Sequence, residues 1–93
     1  MVRVTVKFMS IARQRAGIAS VEFLSTNDRL GDVLKEIVDS YKIADIILTK
    51  DGEVRPWARV LVNGRSQQFR GGLCAELHEG DQIALIYPYT ENF

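Results

Sequence analysis

The chain has one cysteine, one histidine and two prolines among its 93 residues. A lone Cys74 cannot close an intrachain disulfide or build a thiolate zinc site, so the fold must hold without staples and a cytoplasmic, reducing setting is expected. Charge of one sign is also lacking. Twelve basic residues cancel twelve acidic ones, which leaves no electrostatic footprint for nucleic acid or an anionic membrane. No apolar run approaches the ~18 residues needed to cross a bilayer, and Met1 leads straight into a strand pattern rather than a signal peptide. Paired carboxylates, a nucleophile–base pair, metal-ligand spacing and a glycine-rich phosphate loop are all missing. The expectation is a protein with no catalytic site, no metal and no cofactor of its own.

What is present is enough for one core. A hydrophobic content of 46% with 26% charged residues is ordinary for a globular chain, and this length buries somewhat over ~60% of its unfolded surface. No repeat, low-complexity tract or linker divides the sequence, so a single domain over 1–93 is expected, with 89–93 as a tail.

The segment from Asp81 to Phe93 organises the rest. Gly80-Asp81 signals a turn, Gln82 to Tyr87 is almost wholly apolar, and Pro88 stops it because proline cannot donate to a ladder. A short apolar run so bounded reads as a strand covered on both faces, in the middle of a sheet. Beyond it Tyr89, Thr90, Glu91, Asn92 and Phe93 have no core to join. Pro88 through Phe93 is therefore the candidate partner-binding segment.

The other elements are read by period. Val2, Val4, Val6 and Phe8 alternate with Arg3, Thr5 and Lys7, a strand with one buried face. Ser10 to Gly17 reads as a loop or helical turn, and Ala19 to Leu24 as the second arm of an antiparallel hairpin. Leu30, Val33, Leu34, Ile37, Val38 and Tyr41 make one helical stripe, with Asp32, Lys35, Glu36 and Asp39 facing water. Asn27 or Asp28 is expected to cap this helix, with Asp32 near its positive end. Gly31 costs ~1 kcal/mol against alanine inside the helix, which suggests close packing of the helix start on the sheet. Ile43 to Lys50 is ambiguous between a frayed helix and a short strand. Arg59 to Val62 is a strand closed by Asn63-Gly64, a strong hairpin signal, with Ser66 to Phe69 as the return arm. One helix covers one face of a sheet this size. An α+β fold follows, a mixed sheet of four to five strands with the first and last as parallel central neighbours: the β-grasp, or ubiquitin-like, arrangement.

At this level the sequence resembles the MoaD/ThiS group of ubiquitin-like sulfur carriers, on the MoaD side, the small subunit of molybdopterin synthase. The resemblance runs over nearly the whole chain. It rests on Phe8-Met9-Ser10-Ile11-Ala12-Arg13 with Gly17, on Leu30-Gly31-Asp32-Val33-Leu34, and on Val60-Leu61-Val62-Asn63-Gly64-Arg65. Leu73, Leu77, Gly80 to Ala84 and Tyr87-Pro88 complete it. Met9 stands where the family often has an aromatic. The resemblance implies a role in molybdenum or tungsten cofactor assembly, with a MoaE-like synthase large subunit or a MoeB-like activating enzyme as protein partners. Sulfur carriers of the family end in Gly-Gly, whose carboxylate is adenylated, converted to a thiocarboxylate and threaded into the partner. Glycine suits that passage because it lacks Cβ. Here Glu91, Asn92 and Phe93 occupy the matching stretch, and the sole Gly-Gly is Gly71-Gly72, upstream of the final strand. The expectation is a MoaD-like protein whose carrier role is compromised; the alternative is a non-catalytic interaction or regulatory module.

Four further features have both a functional and a plain reading. Cys74 is a sulfur acceptor or an incidental loop thiol, and His78 a base or a solvated residue. Trp57 is a contact anchor or a lid on one edge of the core. Arg13, Arg15, Arg65 and Arg70 form an acidic-partner patch or a scattered solvated surface.

Overall fold

The structure, a computed structural model, describes residues 1–89, apart from the side chains of residues 69 and 70. Its elements in chain order are β1 (Val2–Ser10), α1 (Ile11–Ala16), β2 (Ser20–Ser25), α2 (Leu30–Ser40), α3 (Ala44–Ile47), β3 (Arg59–Val62), β4 (Arg65–Ser66) and β5 (Gln82–Tyr87). Two 3₁₀ turns, Gln67–Arg70 and Gly72–Cys74, link β4 to β5.

The strands form one mixed sheet in the order β2-β1-β5-β3-β4. β1 and β5 run parallel at its centre, in register from Thr5 opposite Gln82 to Ser10 opposite Tyr87. The outer pairs β1–β2, β3–β5 and β3–β4 are antiparallel. This is the β-grasp arrangement, with α2 lying across one face. The core is what the period-2 and period-3.6 patterns single out. Val2, Val4, Val6 and Phe8 of β1 meet Leu30, Val33, Leu34, Ile37 and Val38 of α2, with Val60, Val62, Ile83 and Leu85 between them, all buried.

β5 is central as expected, but it is covered on one face only. Ile83 and Leu85 are buried, whereas Ala84 and Ile86 on the other face are only half-buried and Gln82 is exposed. An unbroken apolar run does not by itself report two covers, because one helix can shield only one side of the sheet.

The helix start also departs from expectation. The capping position of α2 is Arg29, with no side-chain cap. Backbone pairing with residues 75–77 takes over: Leu30 N–H donates to the Ala75 carbonyl at 2.9 Å and Leu77 N–H to the Asp28 carbonyl at 2.6 Å. Asn27 turns elsewhere, donating through Nδ2 to Glu36 at 2.8 Å, while the buried Ser25 hydroxyl donates to the same carboxylate. Glu36 therefore ties the end of β2 to α2 instead of facing water. Asp32 does lie in the first turn.

Gly31 packs closely, though against the second 3₁₀ turn and not the sheet. A Cβ there would lie 3.2 Å from both Leu73 Cβ and the Leu73 carbonyl oxygen. Ser10–Gly17, read as a loop or helical turn, holds the six-residue α1, closed by Gly17 in the left-handed conformation. Ile43 to Lys50 resolves into the single turn of α3 and then a bridge between Leu48 and Val54. Asn63 and Gly64 take φ of 52° and 85°, the positive values that a two-residue hairpin needs. The return arm is only Arg65–Ser66, because the chain coils into a 3₁₀ turn at Gln67.

α1 and α3 are joined by Arg15, which donates to the Asp45 carboxylate at 2.8 Å and to the Lys42 carbonyl at 3.2 Å. That guanidinium hydrogen bond holds the exposed Asp45 carboxyl below its ordinary value. A depressed carboxylate contributes stability above its unfolded pKa and loses it as pH falls through the lower folded value. Arg15→Met is therefore expected to raise the Asp45 pKa toward the ordinary carboxylate range, read by side-chain NMR titration; an unmoved value contradicts the pairing. Gly31→Ala is expected to destabilise by about 1 kcal/mol through overpacking on Leu73, despite alanine's better helix propensity. Denaturant unfolding checks this, and a gain in stability contradicts the close approach.

Candidate functional site

Two sets of residues meet where β5 leaves the sheet. The first is the sheet face opposite α2. Residues directly across a ladder share a face, so the registers place Met9 beside Ile86 and Ile86 beside Arg59. The next row is Lys7, Ala84, Leu61 and Ser66. Met9 is 45% exposed, and Leu61, Ala84 and Ile86 are half-buried with no element laid over them among the described residues. The result is a small apolar strip flanked by the cations of Lys7 and Arg59. Apolar surface rimmed by polar groups is a candidate for a protein contact.

The second set is the exit itself. The Tyr87–Pro88 peptide is cis. Tyr89 is not the start of a free tail: its N–H donates to the Trp57 carbonyl at 2.7 Å, and the Arg59 guanidinium lies 4.8 Å from its ring centroid. Of the predicted partner-binding residues, Pro88 is exposed and Tyr89 half-buried and anchored, whereas Thr90, Glu91, Asn92 and Phe93 lie outside the described residues. Trp57, 62% exposed, sits beside this anchor and lids no part of the core. On the β1 side, Ser10 opposite Tyr87 adopts φ 60° and ψ −134°, a conformation a residue with a Cβ seldom takes.

The remaining candidates are not brought together. Cys74 carries an exposed free thiol, and its carbonyl accepts from Arg29 at 3.0 Å. His78 is exposed, 3.7 Å from Glu76. Its backbone N–H donates to Asp81, whose other oxygen accepts from Asn63, so this corner is a structural clasp on the hairpin. Arg13 and Arg15 lie on α1 and Arg65 on β4, and the side chain of Arg70 is outside the described set. Among the described residues no group of three His, Cys, Asp or Glu side chains gathers to hold a metal, and no helix is long and apolar enough to cross a membrane.

Sequence reasoning missed the strip of Met9, Leu61, Ala84 and Ile86. Its signal was available in β1, where alternation puts Met9 with Lys7 and Thr5, but the continuous apolar run of β5 hid which residues point outward.

The geometry can be set beside known proteins. The ThiS family model matches residues 6–90. The chain belongs to the ThiS family. Small archaeal modifier protein 3 of Haloferax volcanii is 31% identical over 83 residues, 88% of this chain and 90% of that protein. The solution structure of the HVO 2177 protein of the same organism superposes with a TM-score of 0.79 at 27% identity, over 98% of this chain and 87% of the other. A Pyrococcus furiosus protein provisionally assigned as molybdopterin converting factor subunit 1 gives 0.73 at 25% identity, over 96% of this chain and all (100%) of that one. The ThiS-family chain is thus a ubiquitin-like protein of the sulfur-carrier and modifier type, and members of that type are carriers or modifiers without a catalytic site of their own.

The anchor makes an expected outcome concrete. The Tyr89 amide should exchange with solvent well below the rate of an unstructured peptide, and Arg59→Ala should speed it while leaving global stability within ~1 kcal/mol, the scale of an exposed cation–π contact. Hydrogen exchange read by NMR checks it. Free exchange of Tyr89 in the unsubstituted protein contradicts the anchor.

Proposed function

We propose that this ThiS-family protein is a MoaD-like docking subunit, working in the cytoplasm with the machinery that assembles a molybdopterin-type cofactor. The observation that carries the reading is the open strip of Met9, Leu61, Ala84 and Ile86 beside the exit of β5. A partner seated there covers apolar surface, pairs an acidic group with Lys7, and receives the segment that follows Tyr89. The partner classes are a MoaE-like synthase large subunit and a MoeB-like activating enzyme. The similarity to a provisional molybdopterin converting factor subunit supports the choice.

Carrier chemistry is the part of the reading that the tail opposes. The stretch that matches the carriers' Gly-Gly holds Glu91, Asn92 and Phe93, a charge and a benzyl group where a narrow channel suits glycine. On this reading the chain binds its partner without carrying sulfur. The second reading is a non-catalytic ubiquitin-like interaction or regulatory module that has lost carrier chemistry, and the similarity to a small archaeal modifier protein supports it.

Two measurements separate these. Incubated with a MoeB-like activating enzyme, ATP and a sulfur donor, the protein should show no mass gain for replacement of a carboxylate oxygen by sulfur; such a gain in the C-terminal peptide contradicts the compromised-carrier reading. Calorimetric titration with a MoaE-like large subunit should show binding that Met9→Asp weakens at least tenfold, about 1.4 kcal/mol. Because Met9 is exposed, folding stability should change by no more than ~0.5 kcal/mol. Absence of binding favours the module reading instead.

A further inference from the structure

A groove of about 590 Å³ lies along the far edge of β3, lined among others by Glu53, Arg55, Val60, Gln67 and Leu73, and shares Arg59 with the outer strip and the β5 exit. Its volume is within the ~300–1,000 Å³ typical of ligand sites. Two observations make it more than a surface dent.

The first is the ladder. Asn63 N–H donates to the Gln82 carbonyl at 2.8 Å, and that pair continues the β3–β5 register. In an antiparallel pair hydrogen-bonded positions alternate. Leu61 and Arg59 therefore bond toward β5, and the peptide groups of Val60 and Val62 point to the opposite edge. β4 answers at Val62 through Arg65 and ends at Ser66 opposite Leu61. Among the described residues no strand lies across from Val60, where the chain has coiled into the 3₁₀ turn at Gln67, and its peptide groups face the groove.

The second is Arg55. Its backbone is fixed, the N–H donating to the Ile47 carbonyl at 2.9 Å and the carbonyl accepting from Ala58 at 3.0 Å. Its side-chain Nε is buried and has no hydrogen-bond partner among the described residues. A buried donor left unmade costs ~1–3 kcal/mol, more when charged. Asp45 feels the Arg55 charge at a distance, and Glu53 is the one carboxylate among the groove's lining residues.

We infer that this groove takes an extended acidic segment of a partner protein, whose backbone continues the ladder at Val60 and whose carboxylate accepts from Arg55. An open strand position calls for another strand, and a buried guanidinium donor calls for a carboxylate. The site adjoins the outer strip through Arg59 and Ser66.

The test is NMR of the full chain, following backbone amides and arginine Nε–H groups, with two blocked peptides as probes: Ac-Val-Thr-Glu-Val-Thr-NH₂ and its Gln counterpart. The Glu peptide should shift Val60 and the Arg55 Nε–H and bind at least threefold tighter than the Gln peptide. Arg55→Gln should abolish that preference, and Arg55→Lys, which keeps charge and packing should the first variant not fold, should reduce it. Equal shifts from both peptides, shifts confined to the β2 edge or the outer strip, or no shifts at all overturn the inference. So does sodium acetate reproducing the full response, which means a simple anion site, or the same response from raising the protein's own concentration, which means a second copy as occupant.

Discussion

The parallel pairing of β1 with β5 is the constraint on which the rest depends. Six consecutive pairs, Thr5 with Gln82 through Ser10 with Tyr87, join the two ends of the chain at the middle of the sheet. Parallel neighbours need a long crossover, and α2 supplies the part of it that covers the inner face. Once that register is fixed, Val4, Val6, Phe8, Ile83 and Leu85 all face α2 and are buried. A one-residue slip of β5 against β1 would turn Ile83 and Leu85 outward. The same register forces Met9, Ala84 and Ile86 onto the open side, so core and outer strip are two consequences of a single alignment.

The pairing also fixes where the chain emerges. β5 ends between β1 and β3, so the residues after Tyr87 leave the centre of the sheet and not its rim. Tyr89 then crosses to the Trp57 carbonyl and packs under Arg59. Exit, anchor and apolar strip are therefore neighbours by topology. On the proposed reading, a partner that grips the strip is already placed to meet the segment that follows Tyr89.

Much of this was legible in the residues because the signals were local and redundant. The clean alternation of Val2 to Phe8, the six-residue helical stripe and Asn63-Gly64 each specify one geometry. Where the reading missed, a distant part of the chain decided. The α2 cap passed from Asn27 and Asp28 to backbone pairing with residues 75–77, which no local motif announces. The return arm shrank to two residues because a 3₁₀ turn begins at Gln67. Tyr89 looked free because its partners, Trp57 and Arg59, are thirty residues upstream in sequence. The outer strip and Arg55 went unseen for the same reason, since each is defined by elements that only the fold brings together.

The central claim is that the sheet face opposite α2, and not the helical face, receives the partner. Cross-saturation NMR of the labelled protein bound to a deuterated MoaE-like large subunit tests it directly. The account predicts strongest transfer to Met9, Leu61, Ala84, Ile86 and Tyr89. Transfer concentrated on Asp32, Lys35 and Asp39 of α2, with the strip untouched, would contradict it.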